Sequence, residues 1–424
     1  MRFIHAADIH LDSPLDGLAR YDGAPVNLIR SATREALKNL VQLAIDERVD
    51  FVVIAGDLYD GNWKDHNTGL FFSRQMARLR DAHIPLYLIA GNHDAANKMT
   101  RALRLPVNPD GLSPMLSHER PDSRRLDSLC VAIHGRSFAN ERETGNLVLD
   151  YPPAVPGYFN IGLLHTCLTG ESEHARYAPC DEADLRAKGY DYWALGHIHQ
   201  RTQLPSEGQS LGDPVAMFSG NIQGRHIRET GAKGCLIVEV DGQQRLDIRF
   251  VPLDVFRFEI CRVTCDGAVT AKEVLDRFQT ELLVLLDLHA PLPIGVRVLF
   301  EGACPADREL RGDPIHWTNE VRNSAIEVSG DRAWVEKVQF LTSEPSEANV
   351  SWTEDGPLGE LVRFLDELLH DEAALAKLAL ADELADFEKK LKSERITLPT
   401  LGRPDWLREA LRDLKPLLIK RLGG

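Results

Sequence analysis

The tetrapeptide Gly91-Asn92-His93-Asp94 places three chemically capable side chains next to one another. It follows the apolar run 84–90, which is typical of a short buried strand, so its polar groups should emerge together at the carboxyl end of that strand. Open α/β sheets bind their ligands at this edge. Asn92 offers an amide oxygen to a metal ion, His93 can carry a proton, and Asp94 can orient the imidazole. Taken alone, the tetrapeptide fits a plain polar turn equally well.

Two further pairs of candidate ligands share a spacing of two residues. Asp8 and His10 follow the first strand-like segment of the chain. His197 and His199 stand in the same arrangement after the strand-like segment 192–195. Side chains two residues apart in extended backbone point the same way, so one cation could accept both, and imidazole is a common ligand for transition metals. By itself the Asp-x-His pair is a weak signal, and the His-x-His pair is a moderate one.

Two single residues also follow apolar strands. Asp57 follows Gly56 at the end of the buried run 51–55, where the glycine lets the backbone turn closely. A carboxylate has two oxygens and can therefore bridge two cations. His165 follows the strand-like run 160–164, although a single histidine in this place is more often structural. A chance assembly of five such strand ends is remote, so together they predict a metal site.

The spacing of apolar residues predicts the elements that position these side chains. Helical periodicity over 27–48 and 66–81 alternates with the first three strands, which gives the order β-α-β-α-β of an α/β domain. The remaining predicted elements are helix 181–188, strands 215–218, 234–240, 256–264, 296–301 and 334–341, and helices 271–288, 314–323, 358–370, 372–392 and 404–421. Residues 98–146 are predicted to be rich in loops.

The length of 424 residues predicts more than one domain. The composition shifts near Pro252, and the segment 343–349 is typical of a linker. We therefore predict a ligand-bearing domain over 1–251, a small α+β capping domain over 252–345 and a helical tail over 346–424. The amphipathic end of the tail fits either internal packing or the docking of a partner.

The composition limits the classes of function. With 49 basic and 64 acidic residues the formal net charge is -15, which opposes non-specific attraction to DNA, so a nucleic-acid substrate needs a local patch, bound metal ions or a partner. The seven cysteines include no Cys-x-x-Cys pair, which argues against a disulfide framework and a structural zinc site. His5 and Asp8 interrupt the amino terminus before a signal-peptide apolar region could form, and no stretch approaches the ~18 apolar residues of a membrane span. We expect a cytoplasmic protein that is not in a membrane.

Each of two basic segments allows two interpretations of its role. The loop-rich stretch 98–146 is dense in arginine, but acidic residues are interleaved, which favours a solvated surface over a phosphate-binding wall. The segment from Gly220 to Arg228 could approach a phosphate through its glycine backbone and basic side chains, and a surface turn explains it as well. The arginines of the first stretch are Arg101, Arg104, Arg120, Arg124, Arg125, Arg136 and Arg142.

Taken together, the strand-end residues over positions 1 to about 230 resemble the signature of the calcineurin-like metallophosphoesterase superfamily. The resemblance implies an α/β (α+β) fold, a four-layer αββα sandwich in which two β-sheets face each other between helices. It implies one cation held by Asp8, His10, Asp57 and His199, and a second held by Asp57, Asn92, His165 and His197. Asp57 would be the bridge, and two such cations can share a hydroxide for attack on phosphorus.

The same resemblance implies that His93 is not a metal ligand. It would face the substrate and protonate the leaving oxygen or stabilise transition-state charge, while Asp94 fixes its orientation. Carboxylate, amide and imidazole ligands without thiolate suit manganese, iron, cobalt or zinc. The resemblance favours manganese, so the predicted cofactors are two divalent ions, Mn2+ first.

Three segments resemble a narrower group of proteins within the superfamily. His5 to Asp12, Gly56 to Asp60 and Leu163 to Thr166 resemble the SbcD-type DNA repair exonucleases, which are the nuclease partners of coiled-coil ABC-type ATPases. Gly61-Asn62-Trp63-Lys64 and the segment Asn221 to His226 are most similar to the YhaO-like branch. The architecture that this implies, a phosphoesterase domain, a capping domain and a helical tail, matches the predicted domains in layout. Asp60 departs from the pattern, because some relatives have histidine there.

The first hypothesis for function is a manganese-dependent DNA exonuclease in complex with an ABC-type ATPase, with homodimerisation as a possible addition. The ATPase would supply the DNA affinity that an acidic chain lacks. The alternative is a metallophosphoesterase that acts on small phosphodiesters such as cyclic nucleotides, for which a closed pocket over the metals is expected. A non-catalytic scaffold is disfavoured, because every predicted ligand and His93 are present.

Overall fold

The computed structural model describes residues 1–13, 24–60, 66–96, 105–167, 177–204, 214–345, 357–371 and 411. The chain divides into two compact units, Met1–Glu344 and Pro345–Gly424. The motif Gly61-Asn62-Trp63-Lys64 and the predicted helices 372–392 and 404–421 lie outside the described residues, except for Leu411. The predicted domain boundary at residue 251 stays a prediction.

The strands of the described chain are Arg2–Ala6 (β1), Phe51–Ala55 (β2), Leu86–Ile89 (β3), Asp122–Leu126 (β4), Val131–Gly135 (β5), Phe159–His165 (β6), Tyr192–Gly196 (β7), Thr202–Leu204 (β8), Val215–Phe218 (β9), Gly234–Val240 (β10), Leu246–Pro252 (β11), Arg257–Thr264 (β12), Ile294–Ala303 (β13) and Ala333–Ser343 (β14). The α-helices of the same residues are Val26–Asp46, His66–Asp81, Asn92–Ala96, Glu182–Ala187, Ala271–Leu288, Asp307–Gly312, Pro314–Ser329 and Pro357–His370. Short 3-10 helices cover Asp127–Leu129, Leu147–Asp150 and Gly330–Arg332.

These strands form three sheets. The first has the order β11-β10-β1-β2-β3, and the second has the order β4-β5-β6-β7-β9-β8. In the first sheet β1, β2 and β3 are parallel, and in the second β5, β6, β7 and β9 are parallel. The third sheet, β12-β13-β14, is parallel throughout. The predicted ligands follow β1, β2, β3, β6 and β7, so they stand at the carboxyl ends of parallel strands.

The first two sheets pack against each other through alternating side chains. Phe3 of β1 stacks on Phe51 of β2 with ring centroids 4.9 Å apart, and Tyr192 of β7 meets Phe3 edge-on at 5.5 Å. The intervening residues, such as Val52, face the other way and pack under the helices Val26–Asp46 and His66–Asp81. Because both faces of these strands are buried, they read as continuous apolar runs in the sequence.

The outer face of the second sheet is also covered. Leu185 of the helix Glu182–Ala187 belongs to a buried cluster with Trp193 and Leu195 of β7. Tyr151, which follows a 3-10 helix, packs against the Trp193 ring in the same cluster. Two facing sheets between helical layers match the predicted sandwich, and the fold class is confirmed.

Residues after Pro252 build a core of their own. The third sheet packs one face against the helices Ala271–Leu288 and Pro314–Ser329 around fully buried Phe278 and Phe300. Thr270 caps the first of these helices by accepting from the amide of Glu273, which explains why its start could be predicted. A second small cluster joins this part to the sandwich and contains Ile29, Ile227, Phe256, Phe258 and Trp334.

The predicted elements omit several strands that the structure contains. The stretch 98–146 is predicted to be rich in loops, and within it the structure has the short strands β4 and β5. β4 reads Asp-Ser-Arg-Arg-Leu and lies half-exposed at the edge of its sheet, so it lacks the apolar run that marks a buried strand. β11 is an edge strand of the same kind and is absent from the predicted elements.

In the second unit, the helix Pro357–His370 agrees with the predicted helix 358–370. Val362, Leu365 and Leu368 are buried, which gives the helix an apolar stripe at helical spacing. None of the helices that the structure describes is long and apolar enough to cross a membrane.

Gly196 ends β7 where it passes close to β2. A Cβ at this position would lie 1.9 Å from the carbonyl oxygen of Ala55, a backbone atom that cannot rotate away. We therefore expect Gly196→Ala to lower the free energy of unfolding by about 1–3 kcal/mol, the usual cost of overpacking. Urea denaturation measures this change.

Gly145→Ala is the matched control for that substitution. A Cβ at Gly145 meets nothing within 4 Å, so its effect should stay within about 0.5 kcal/mol. Equal denaturation midpoints for the two variants would contradict the close approach of β7 to β2.

Candidate metal centre

The turns that follow β1 and β2 run side by side. The amide of Asp8 donates to the carbonyl of Gly56 over 3.1 Å, and the amide of His10 donates to the carbonyl of Asp57 over 3.0 Å. These bonds continue the parallel pairing of the two strands, so three predicted ligands leave the sheet together. Gly91 keeps the space beside them open, because a Cβ there would stand 2.3 Å from Oδ1 of Asp57.

Four of the predicted ligands have a left-handed backbone. The φ angle is 50° at Asp8, 44° at His10, 50° at Asp57 and 100° at His197. This conformation costs a non-glycine residue about 1–3 kcal/mol and persists only where the surrounding structure fixes it. Such strain concentrates at functional sites, which favours chemistry over a set of plain polar turns.

Among the residues that the structure describes, ligand atoms form three clusters at this edge, and within each cluster they lie within 4.8 Å of one another. The clusters are Asp8, His10 and His199; Asp8, Asp57 and His165; and His10, Asp60 and His93. Oδ2 of Asp57 lies 3.8 Å from Nε2 of His10 and 3.4 Å from Nε2 of His165, so this carboxylate stands between the two predicted ligand sets. The geometry brings these side chains together, and their role as metal ligands stays a prediction.

The two remaining predicted ligands also reach this edge. Oδ1 of Asn92 lies 3.0 Å from Nε2 of His165. His197 belongs to none of the three clusters, but its ring packs edge-on against His165 with centroids 5.2 Å apart, and Tyr177 packs on it at 5.4 Å. The backbone amide of His197 donates to both oxygens of Asp8, at 3.1 and 3.0 Å.

Two histidines are held in the tautomer that a metal ligand needs. His165 donates from Nδ1 to the carbonyl of Ala55 over 2.9 Å, which leaves Nε2, facing Asp57, as the nitrogen that a metal ion would bind once it is deprotonated. His199 donates from Nδ1 to Oε1 of Glu229 over 2.7 Å, and its Nε2 lies 3.1 Å from Nε2 of His10. Second partners of this kind orient metal-binding imidazoles. The donor set, with carboxylate oxygens and imidazole lone pairs converging, fits divalent cations.

The electrostatics of the cluster agree with a site for cations. Burial disfavours the charge on Asp57, but the imidazoles of His165, His10 and His93 outweigh burial and hold its pKa well below the ordinary value. Burial alone would lower the pKa of His165, yet the charges of Asp57 and Asp8 raise it to about 9. A proton on His165 occupies the nitrogen that a metal ion would bind, because an imidazole must lose that proton to become a metal ligand.

His93 has a different orienting partner from the one predicted. Oδ1 of Asp60 lies 2.9 Å from Nδ1 of His93, whose side chain is 40% exposed. Burial lowers the pKa of His93, but the Asp60 hydrogen bond and the Asp57 charge outweigh burial, so the pKa lies above its usual value. An exposed imidazole with a raised pKa and a carboxylate behind it suits proton transfer.

Asp94 instead ties two turns together. Its Oδ2 accepts from the amides of Leu58 and Gly91, both over 3.0 Å, and its Oδ1 accepts from the amide of Tyr59 over 3.0 Å. Burial and the charge of Asp57 raise the pKa of Asp94 to about 7 against the lowering effect of these amides. The prediction that Asp94 orients His93 does not fit these contacts, because the short helix Asn92–Ala96 turns its side chain toward the turn after β2.

Asp60, Arg225 and Glu229 are absent from the predicted site residues. Asp60 accepts from Ser13 over 2.6 Å and from Arg225 over 3.0 Å in addition to its contact with His93. Glu229 accepts from Arg225 and from His199. The sequence offers two hints of these residues: Asp60 stands where some relatives have histidine, and Arg225 lies in a basic segment. Neither hint indicates which side chains the residue contacts.

The predictions for the two basic segments, 98–146 and 220–228, have different outcomes. Arg124, Arg125 and Arg136 are paired with Asp122, Asp127 and Asp150 at 2.9, 3.2 and 2.9 Å, which fits the favoured solvated surface. Arg101 and Arg104 lie outside the described residues. The surface turn considered for 220–228 fits only its second part, because Asn221 and Gln223 are almost fully buried whereas His226 and Arg228 are exposed.

Comparisons with known proteins agree with this fold. Residues 1–201 match the model of the calcineurin-like phosphoesterases, and residues 258–343 match that of the middle domain of metallophosphoesterase YhaO. Metallophosphoesterase YhaO of Bacillus subtilis is 36% identical over 243 residues, which are 57% of this chain and 57% of that protein. The DNA double-strand break repair protein Mre11 of Methanopyrus kandleri is 25% identical over 79% of this chain and 70% of its own length. A component of the nuclease SbcCD of Staphylococcus epidermidis is 23% identical over 61% of this chain and 71% of its own length.

The match to the calcineurin-like phosphoesterases assigns the protein to the metal-dependent phosphoesterases, and a two-sheet sandwich with carboxylates and imidazoles gathered at the ends of parallel strands fits that class. The chain carries a calcineurin-like phosphoesterase domain over residues 1–201, followed by a YhaO-like middle domain over residues 258–343. The resemblance stated from the sequence is therefore confirmed. Since the match covers little more than half of the Bacillus relative, the activity of the whole protein is a matter for proposal.

Proposed function

We propose that this protein is a dinuclear-metal phosphodiesterase that removes nucleotides from DNA ends. The single observation that carries the proposal is the placement of the Asp57 carboxylate between His10 and His165, the imidazoles of the two predicted ligand sets. Asp8, His10, Asp57 and His199 would hold one cation, and Asp57, Asn92, His165 and His197 the other. Manganese is the proposed metal, with iron, cobalt and zinc as alternatives that the same donors accept.

Two divalent cations, when bound, lower the pKa of a water and neutralise the phosphoryl oxygens under attack. The protein's own contribution starts with ligand orientation, because Ala55 and Glu229 fix the tautomers of His165 and His199. His93 holds the proton for the leaving oxygen, and Asp60 keeps its Nδ1 hydrogen engaged so that Nε2 is the nitrogen available to the substrate.

DNA is proposed as the substrate because relatives named as a DNA double-strand break repair protein and as part of a nuclease align over most of their own lengths. The net charge of -15 makes strong unaided DNA binding unfavourable, so we include an ABC-type ATPase as the partner that supplies affinity. With a DNA substrate and such a partner, the proposed location is the cytoplasm. Homodimerisation stays a prediction.

A nuclease assay on defined ends tests the proposal. Purified protein with Mn2+ is expected to release nucleotides from end-labelled duplex or single-stranded DNA and to stop when EDTA is added, because the reaction depends on the cations. Bis-p-nitrophenyl phosphate serves as a small diester in parallel, and cyclic nucleotides test the alternative substrate class. Hydrolysis of cyclic nucleotides without any release from DNA would replace the nuclease proposal with the small-diester one, and no hydrolysis of any diester would end both.

A further inference from the structure

The loop 220–231, which we call the clasp loop, joins β9 to β10 beside the candidate metal centre. It is packed inside the protein, with Asn221 1% exposed and Gln223 2% exposed. Gln223 donates to the carbonyl of Phe256 over 2.6 Å and accepts from the amide of Val255 over 2.9 Å. Ile227 packs into the apolar cluster at the start of the third sheet. The clasp loop is therefore anchored at both of its halves.

Arg225 of the clasp loop lies between two carboxylates. One terminal nitrogen of its guanidinium donates to Oδ2 of Asp60 over 3.0 Å, and the other donates to Oε1 of Glu229 over 3.1 Å. Each carboxylate holds an imidazole of the site. Asp60 contacts Nδ1 of His93 at 2.9 Å, and Glu229 contacts Nδ1 of His199 at 2.7 Å.

We propose that Arg225 is a positioning residue that couples the proton-transfer histidine His93 to the metal-side histidine His199. The inference rests on the proposed function and adds a residue that acts through Asp60 and Glu229, and whose second terminal nitrogen also lies 3.3 Å from Nδ1 of His199. A guanidinium is a planar, rigid fork, so one group fixes the separation of the two carboxylates in a way that two independent cations would not.

A direct role for Arg225 in binding phosphate fits the contacts less well. Its side chain is only 12% exposed, and both terminal nitrogens already donate to carboxylates. The main chain of Arg225 is held as well, because its amide donates to Oε2 of Glu229 over 2.8 Å. Arg228, three residues further on, is exposed and forms the matched comparison on the same loop.

The proposed coupling predicts that substitutions of Asp60, Glu229 and Arg225 affect kcat and Mn2+ affinity differently. Asp60→Asn should lower kcat for the release of nucleotides from DNA while leaving Mn2+ affinity within about twofold, since Asp60 contacts Nδ1 of His93 at 2.9 Å and lies 3.9 Å from Nδ1 of the predicted ligand His10. Glu229→Gln should weaken Mn2+ binding about 10–100-fold, the usual cost of losing a partner behind a metal ligand. Arg225→Met should do both, with the KM for DNA within about twofold of the parent value.

The experiment uses the full chain after dialysis against EDTA. Calorimetric titration with Mn2+ gives the metal affinity, and steady-state release of nucleotides from an end-labelled oligonucleotide, whose leaving oxygen needs a proton, gives kcat and KM. Arg228→Met is expected to match the parent protein in all three, and Arg225→Lys is expected to recover part of each loss because it restores one positive charge but not the fork. Adding Arg225→Met to Asp60→Asn should lower kcat little further, because the two substitutions break the same connection.

Distinct results would overturn the inference. Arg225→Met with a raised KM but unchanged kcat and Mn2+ affinity would make Arg225 a substrate-binding residue. Equal losses in metal affinity, kcat and melting temperature without recovery in Arg225→Lys would make its role a matter of folding alone. If the parent protein hydrolyses no diester, the proposed function fails, and the titrations still decide whether Arg225→Met and Glu229→Gln weaken Mn2+ binding alike.

Discussion

Asp57→Asn is expected to remove most of the bound metal and to lower phosphodiester hydrolysis by about 10³-fold or more, which corresponds to about 4 kcal/mol of barrier. Asp57 is the residue assigned to both cations. Its Oδ2 faces Nε2 of His10 and of His165, while its Oδ1 accepts from the amide of His93 over 3.0 Å. An asparagine keeps one oxygen and loses the negative charge, so it cannot bridge.

Metal content after dialysis, measured by mass spectrometry of the elements, and turnover of bis-p-nitrophenyl phosphate check this result. Asp150→Asn is the control, because Asp150 is 64% exposed and pairs with Arg136 at the surface. A melting curve separates loss of metal from loss of fold. Two metal equivalents and near-parental turnover in Asp57→Asn would show that the bridge is assigned to the wrong residue.

The parts of the fold that depend on local pattern could be predicted from the sequence. The helix Ala271–Leu288 and the strands Val215–Phe218 and Gly234–Val240 have the predicted bounds, because each is a regular apolar pattern between turn residues. The gathering of the predicted ligands could be expected for a related reason. Polar residues that follow buried parallel strands of one sheet lie at the same edge of that sheet, however far apart they stand in the chain, and their role as metal ligands stays a prediction.

The partners behind the ligands could not be predicted in this way. Asp60 and Arg225 are 165 positions apart, and no local periodicity relates them. Their contact depends on how the clasp loop is anchored to Phe256 and Val255, which is a property of the assembled fold. The prediction that Asp94 orients His93 does not fit the structure for a related reason. Its adjacency to His93 suggested a contact, but successive residues on a helix point in different directions.

His93→Ala is expected to keep the metals and lose turnover on DNA by about 10²–10⁴-fold, the usual contribution of proton transfer by a positioned side chain. His93 is placed to hold a proton, since Asp60 contacts its Nδ1 at 2.9 Å and its side chain is 40% exposed. The residues assigned to the cations remain in this variant. Metal content should therefore equal that of the parent protein, in contrast to Asp57→Asn.

A comparison of two substrates with different leaving groups tests the role assigned to His93. A nitrophenolate leaves without a proton, whereas the sugar oxygen of DNA needs one, so His93→Ala should lose much less activity on bis-p-nitrophenyl phosphate than on DNA. The exposed His118 provides the control substitution, and His118→Ala should leave both rates unchanged. Equal losses on the two substrates would assign His93 to stabilising charge on the phosphoryl group, because that demand does not depend on the leaving oxygen. Loss of metal in His93→Ala would instead place His93 among the ligands, as its cluster with His10 and Asp60 would then require.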